Sequence, residues 1–188
     1  RNTSVTELIT FNQSVRWAGV AFRELLTRTQ TLQKLEISGP GDEAFEEVQR
    51  AAITSGFANN KSLRDLKFVD WRAADLAPVL IALQNHPRLQ KIHLKYRPDY
   101  TDNIPSLSGL EVLLRSQHSK VKELILHKVD TRTAGFHALM QELERNATIT
   151  NLAIRESVLS RENVQQLKAV LHQNTALQSL DLTSSALG

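Results

Sequence analysis

Seven times in this 188-residue chain an apolar residue is followed three positions later by a second, and in six of the seven by a third two positions further on. The sets are Val5-Leu8-Thr10, whose third member is polar, Leu32-Leu35-Ile37, Leu63-Leu66-Phe68, Leu89-Ile92-Leu94, Val121-Leu124-Leu126, Ile149-Leu152-Ile154 and Leu177-Leu180-Leu182. Their first members stand 27, 31, 26, 32, 28 and 28 residues apart. Alternating burial over a short run belongs to a strand. An interval of that length leaves room for one strand and one helix in each unit.

A second apolar pair precedes each later strand, its members four apart as on one helix face. The pairs are Phe22/Leu26, Ile53/Phe57, Val79/Leu83, Leu110/Leu114, Leu139/Leu143 and Leu167/Leu171. They stand ten and six residues before the next first apolar member, with one residue more at Leu110/Leu114. A strand with one buried face and a helix with one buried stripe cannot hide those faces alone, so successive units must stack. The expected architecture is an α/β solenoid forming one domain over 1–188. Its seven parallel strands fall near 5–11, 32–38, 63–69, 89–95, 121–127, 149–155 and 177–183.

Three residues before each first apolar member stand Asn2, Thr29, Asn60, His86, His118, Asn146 and Asn174. Asn tolerates the left-handed backbone that ends a helix, and the four Asn are expected to act in that way. Pro87 also stops the helix before His86, because it lacks an N–H and restricts its predecessor.

The pattern resembles the ribonuclease-inhibitor-like class of leucine-rich repeats, whose units run L-x-x-L-x-L-x-x-N-x-[IL]-x-x-x-G before a helix. The resemblance covers essentially the whole chain and is carried best by Leu177, Leu180, Leu182, Leu187 and Gly188, and by Ile149, Leu152, Ile154 and Leu159. It implies a horseshoe with a concave parallel sheet and convex helices. Family members include inhibitors, GTPase activators, actin-capping proteins and intracellular immune receptors, so it also implies recognition of macromolecules. Where the family places Asn after the strand, this chain has Pro40, Trp71, Arg97, Val129, Ser157 and Ser185. That Asn ladder is therefore eroded, and irregular turns are expected there.

Composition agrees, with 41% hydrophobic and 23% charged residues. No run approaches the ~20 apolar residues of a membrane span, and neither an initiating Met nor a signal peptide is present. Both ends fall in repeat phase, which makes a piece of a longer array the expectation. Cysteine is absent, so disulfides and thiolate chemistry are excluded and a cytoplasmic location is expected. Four glycosylation sequons begin at Asn2, Asn12, Asn60 and Asn146. Three of them occupy the helix-ending position, and a structural role is the expectation there.

The six histidines show no metal-ligand spacing, and the cluster Ser38-Gly39-Pro40-Gly41 is neither a phosphate-binding loop nor a dinucleotide fingerprint. Asp42, Glu43, Glu46 and Glu47 read as the solvated first turn of a helix, where negative charge suits the dipole. No catalytic, metal or cofactor site is expected, and the chain is not read as an enzyme.

The informative surface is the strand face that the apolar members leave free. Counting from each first apolar member, the seventh places of three consecutive strands are Lys95, His127 and Arg155, with Lys67 and His93 one pleat away and Arg97 just beyond. Such a basic band is a candidate dock for an acidic protein partner, strengthened below about pH 6.5 by the histidines. Its counter-reading is that acids such as Asp99, Asp130 or Glu156 screen it. The long connection over 96–105 carries Tyr96 and Tyr100 beside Arg97 and adds a candidate rim contact, with Trp71 as its neighbour or buried in the turn. The expected function is a non-catalytic recognition module, the ligand-sensing or docking region of a larger receptor or scaffold. The alternative is the substrate-selecting or regulatory arm of a larger enzyme or GTPase-activating protein. Nucleic-acid binding ranks last, since a net charge of +3 is small for this length.

Overall fold

The computed structural model describes residues 4–10, 19–39, 44–96 and 107–187. It is α/β. Seven strands, β1 (Glu7–Thr10), β2 (Lys34–Ser38), β3 (Asp65–Val69), β4 (Lys91–Lys95), β5 (Glu123–His127), β6 (Asn151–Arg155) and β8 (Ser179–Asp181), form one parallel sheet in chain order. The helices between them are α1 (Gly19–Arg28), α2 (Glu47–Asn59), α3 (Ala73–Ala82), α4 (Leu110–Arg115), α5 (Ala134–Arg145) and α6 (Arg161–Gln173). Beyond β6 a short strand β7 (Val158–Leu159) pairs in parallel with β9 (Ala186–Leu187).

Pairing sets equal places opposite one another, as in Leu35↔Leu66, Leu66↔Ile92, Ile92↔Leu124 and Leu124↔Leu152. Rows of like residues therefore run across the sheet. A one-residue slip would turn each leucine to the wrong face, so the hydrophobic pattern fixes this register. One face packs on the helices, where Phe22, Leu26, Ile53, Phe57, Val79, Leu139 and Leu143 join the strand leucines in a single core. The first apolar members are buried from Leu32 to Ile149. Val5 is 42% exposed and Leu177 only partly buried, because among the described residues β1 and β8 each have a strand neighbour on one side only. Leu171 departs from expectation for the same reason, standing 55% exposed on a helix whose helical neighbour among the described residues is α5 alone.

The Asn residues that end the helices do not adopt the left-handed backbone expected of them. Asn60, Asn146 and Asn174 are extended, with φ of −68°, −73° and −77°. Their side chains do the work instead. Asn60 Oδ1 accepts from the N–H of Ser62 and of Leu63, both at 2.9 Å, while Nδ2 donates to the Leu26 carbonyl of the preceding unit at 2.7 Å. Asn146 repeats this with Thr148, Ile149 and Leu114, and Asn174 with Ala176, Leu177 and Leu143. At His86 the imidazole substitutes, Nδ1 accepting from Arg88 and Leu89 at 3.3 and 3.1 Å. Buried turn amides would otherwise lack partners, which is costly. The amide nitrogens of Asn60 and Asn146 are thus engaged in the interior, which accounts for these two sequons structurally, while Asn2 and Asn12 lie outside the described residues.

Left-handed residues occur at the opposite end of the strands. Asp70, Lys128, Glu156 and Ser184, each at the eighth place, have φ between 50° and 59°. Gly39 holds the same place in β2, where any Cβ would strike the Asp70 carbonyl oxygen. These turns are more regular than the missing Asn predicted, because other side chains serve the same carbonyls. Ser185 Oγ donates to the Ile154 carbonyl at 2.8 Å, and the Trp71 indole N–H donates to Ile37, at the matching place of β2, at 3.1 Å. Ser157 Oγ accepts from Val129 N–H and donates to the Arg155 carbonyl. Trp71 is therefore buried against Phe45 and Phe68 rather than presented at a rim.

Caps and one buried ion pair complete the scaffold. Glu46 and Glu47 stand at the start of α2, where Gln49 Oε1 accepts from the Glu46 N–H; Asp42 and Glu43 lie outside the described residues. Asp75, fully buried in the first turn of α3, accepts from Arg50 Nε at 2.9 Å and from the Phe45 N–H at 3.4 Å. Asn60→Ala should lower the unfolding free energy by about 2–4 kcal/mol. Asp75→Ala should cost about 2–3 kcal/mol, below the usual loss for a broken buried pair because the Arg50 side chain still reaches water. Gln30→Ala, at an exposed turn, should change little. Urea unfolding of the three variants measures all of this.

Candidate functional site

The helices leave the second face of the sheet open, and the strands place there their third and fifth side chains and, from β2 to β6, their seventh. The third places read Glu7, Lys34, Asp65, Lys91 and Glu123 across the paired strands, so each charge has an opposite neighbour. Lys91 Nζ meets Glu123 Oε1 at 2.9 Å. Burial raises the Asp65 carboxyl above the usual range, with the flanking Lys91 and Lys34 opposing that shift.

The basic residues expected on this face are present, but most are neutralised. Lys67 pairs with Glu36 at 2.9 Å, directly across β2 and β3. Arg155 pairs with Asp181 at 2.7 Å on the diagonal of the next strand. The Asp181 carboxyl lies at about 2, held there first by the Thr183 hydroxyl, then by the Thr183 N–H and Arg155. His127 Nε2 stands 2.9 Å from Glu156 Oε1, and Lys128 Nζ stands 3.4 Å from the other oxygen of that carboxylate. The contact with His127 and then that with Lys128 keep Glu156 below its ordinary value. Asp130 instead engages Arg132 at 3.0 Å and takes no part in this face. Lys95 and His93 are the described members of the basic band with no acid within ion-pairing distance among the described residues. Arg97 and Tyr100, and the acid Asp99, lie outside the described residues.

Two expectations need correction. Tyr96 is a core residue, not a rim contact: it is buried beneath the end of β4, and burial, then the Asp70 carboxylate, pushes its phenol well above the usual range. Ending a strand with an aromatic at the eighth place, where its neighbours have Asp70 and Lys128, turns the ring inward with the core. The histidines also differ from simple surface imidazoles. The rings of His93 and His127 are stacked, 6.1 Å between centroids and 20° from parallel. Burial, followed by the positive charge of Lys67, lowers the His93 pKa to about 4, so it is neutral at physiological pH and adds no charge to the band.

Between the charges lies a buried apolar strip that sequence reasoning did not single out. Ile125 and Ala153 at fifth places and Val69 at a seventh are each no more than 6% exposed, although no helix covers them. In-register neighbours on adjacent strands, among them His93 beside Ile125 and Lys95 beside Val69, close over them. Glu156 is a screening acid expected from the sequence, whereas Glu36 and Asp181 are not among those expected. Arg155 and Asp181 occupy different places on neighbouring strands, and only the diagonal joins them.

The described residues contain no group of three or more metal-ligating side chains, and none of their helices is long and apolar enough to cross a membrane. The chain matches no protein-family model, and a search of curated proteins gives no significant match.

His93 has a thermodynamic consequence shared with His86, whose pKa is lowered to about 4 by burial and then by Lys61. Between pH 6.5 and about 4 the unfolded chain binds protons at both histidines and the folded chain does not, so unfolding takes up protons. Their stabilising contribution is complete above pH 6.5 and is lost as pH falls towards 4. The depressed carboxyls, Glu156 and Asp181, act in a lower window, below their unfolded values. The urea midpoint should therefore fall between pH 7 and pH 5, and His93→Gln should flatten that fall. A midpoint independent of pH over this range would contradict the assignment.

Proposed function

We propose that the chain is a leucine-rich-repeat solenoid of the ribonuclease-inhibitor-like type that acts as a non-catalytic protein-recognition module, with the open sheet face as its dock. One observation carries this reading. A parallel sheet covered by helices on one face presents on the other an ordered, half-buried lattice of paired charges around an apolar strip. Side chains already held by neighbours lose little freedom on binding, which is where much of the cost of association lies. Paired charges also select by pattern more than by net sign.

Size sets the extent of the dock. Seven strands at ~4.8 Å spacing and ~16 Å length give a face of about 29 by 16 Å. That is roughly half of the ~800 Å² that a standard interface takes from one partner. Turn residues that flank the strands, such as Lys128 and Glu156, must contribute the remainder. Lys95 is the natural anchor for a partner carboxylate, since it stands beside the buried Val69 with no acid within ion-pairing distance among the described residues. The partner surface that fits is therefore mixed in charge with an acid opposite Lys95, a narrower requirement than general acidity.

Affinity capture from an extract of the source cells tests the reading. The combination Lys95→Glu with Arg155→Ala should abolish capture of proteins retained by the intact chain. Val48→Glu, on the outer side of α2, should leave capture unchanged. Retention by the open-face variant, or loss with the helix variant alone, would move recognition away from the sheet.

A further inference from the structure

Each helix leads to its strand through a short connection, and all six lie along the edge at which the parallel strands begin. Counted from the last helical residue to the residue before the strand, they are 28–33, 59–64, 82–90, 115–122, 145–150 and 173–178. Together they hold eight Lys and Arg residues and no Asp or Glu. The rest of the chain then has fifteen cations against twenty acids, so the net charge of +3 arises wholly at this edge.

Some of those cations have ordinary explanations. Arg28 and Arg115 are ion-paired with Glu24 at 3.8 Å and Glu142 at 2.5 Å. Arg145 ends α5 and Lys61 Nζ donates to the Ala58 carbonyl at the end of α2, both favourable to a helix dipole. Arg64, Arg88, Lys120 and Lys122 have neither excuse. They lie beyond the last helical turn, are exposed, and have no acid within ion-pairing distance among the described residues.

The edge is rigid and continuous. Arg64 N–H donates to the Gln33 carbonyl, Gln90 N–H to Arg64, Lys122 N–H to Gln90, Thr150 N–H to Lys122 and Gln178 N–H to Thr150, all at 2.8 Å, so each connection is bonded to the one before it. The cations that lead into β3, β4 and β5 are thus held within about 10 Å along the stack. Exposed amides, including Gln33, Asn59, Asn85, Gln90 and Gln117, stand among them. The connections contain no Phe, Tyr or Trp, and their leucines, valine and isoleucine are buried in the core, except Leu177, which is partly buried.

From this geometry we infer that the strand-leading edge is a second docking surface, separate from the open face, which takes the phosphodiester backbone of a nucleic-acid duplex without reading its sequence. Cations and side-chain amides are the groups that contact phosphate and sugar. Unstacked bases would need aromatic platforms, which the edge lacks, so a duplex fits better than a single strand. A bilayer would need an apolar wedge for firm attachment, and none is exposed there. An acidic polypeptide offers no regular charge repeat, whereas a duplex presents a phosphate every ~3.4 Å per strand, about three of them over 10 Å.

Fluorescence anisotropy of the chain with labelled 20-base-pair duplexes of random sequence, one of DNA and one of RNA, tests the inference. Micromolar binding is expected at 50 mM salt to at least one duplex, with a salt slope of about −4 that weakens it ~250-fold by 200 mM. The triple variant Arg88→Glu, Lys120→Glu, Lys122→Glu should weaken binding at least about tenfold. Lys95→Glu on the open face should not, and circular dichroism of both variants confirms that the fold persists. The inference is overturned by no binding to either duplex at 50 mM salt, or by equal binding of the triple variant. It is also overturned if polyglutamate, or vesicles of phosphatidylserine and phosphatidylcholine, bind more tightly than the duplexes.

Discussion

The stack depends on how a few backbone groups are satisfied where each helix gives way to its strand. A helix leaves carbonyls without partners at its end, and an incoming strand brings N–H groups that lie inside the core. Asn60, Asn146 and Asn174 answer both needs at once, accepting from their own turn and donating to the unit before. The bond across units makes the turn a joint as well as a cap. A unit removed from its neighbour would expose the apolar row and leave these carbonyls unpaired, so stability belongs to the contacts between units more than to any one of them.

The same joint sets what the two polar surfaces can do. It fixes the register, the register sets equal places opposite one another, and those rows carry the charges. On the open face the outcome is local pairing, with Lys67 matched to Glu36, Lys91 to Glu123 and Arg155 to Asp181. At the leading edge, where the acids are absent, the outcome is an accumulation of positive charge. Burying His93 among cations, with its ring against His127, then keeps that imidazole neutral as the pH falls moderately.

Much of the fold is legible in the sequence because hydrophobic periodicity is redundant: seven sets of apolar residues and six helix pairs all point to one register. What the sequence did not disclose lay in side-chain direction. Tyr96 looked like a rim residue since it opens a Pro- and Tyr-containing connection, yet its place at the end of β4 turns it inward. The Asn residues were placed correctly but given the wrong mechanism, because backbone tolerance and side-chain bonding favour the same residue type. The serine and tryptophan substitutes for the missing Asn after the strands share no residue type with it, only the donor they aim at the preceding strand. In the candidate site, the basic band and the screening acid Glu156 are legible in the sequence, while the Arg155–Asp181 pair runs across a diagonal.

Amide hydrogen exchange tests the joint most directly. The N–H groups of Leu63, Leu89 and Ile149 lie outside every helix and strand, yet each donates to an Asn or His side chain. The account predicts that they exchange as slowly as amides of the neighbouring strands β3, β4 and β6, opening only with the stack. Exchange at the rate of exposed turn amides such as those of Gln30 or Asn85 would contradict it, and would place the cohesion of the fold in apolar packing alone.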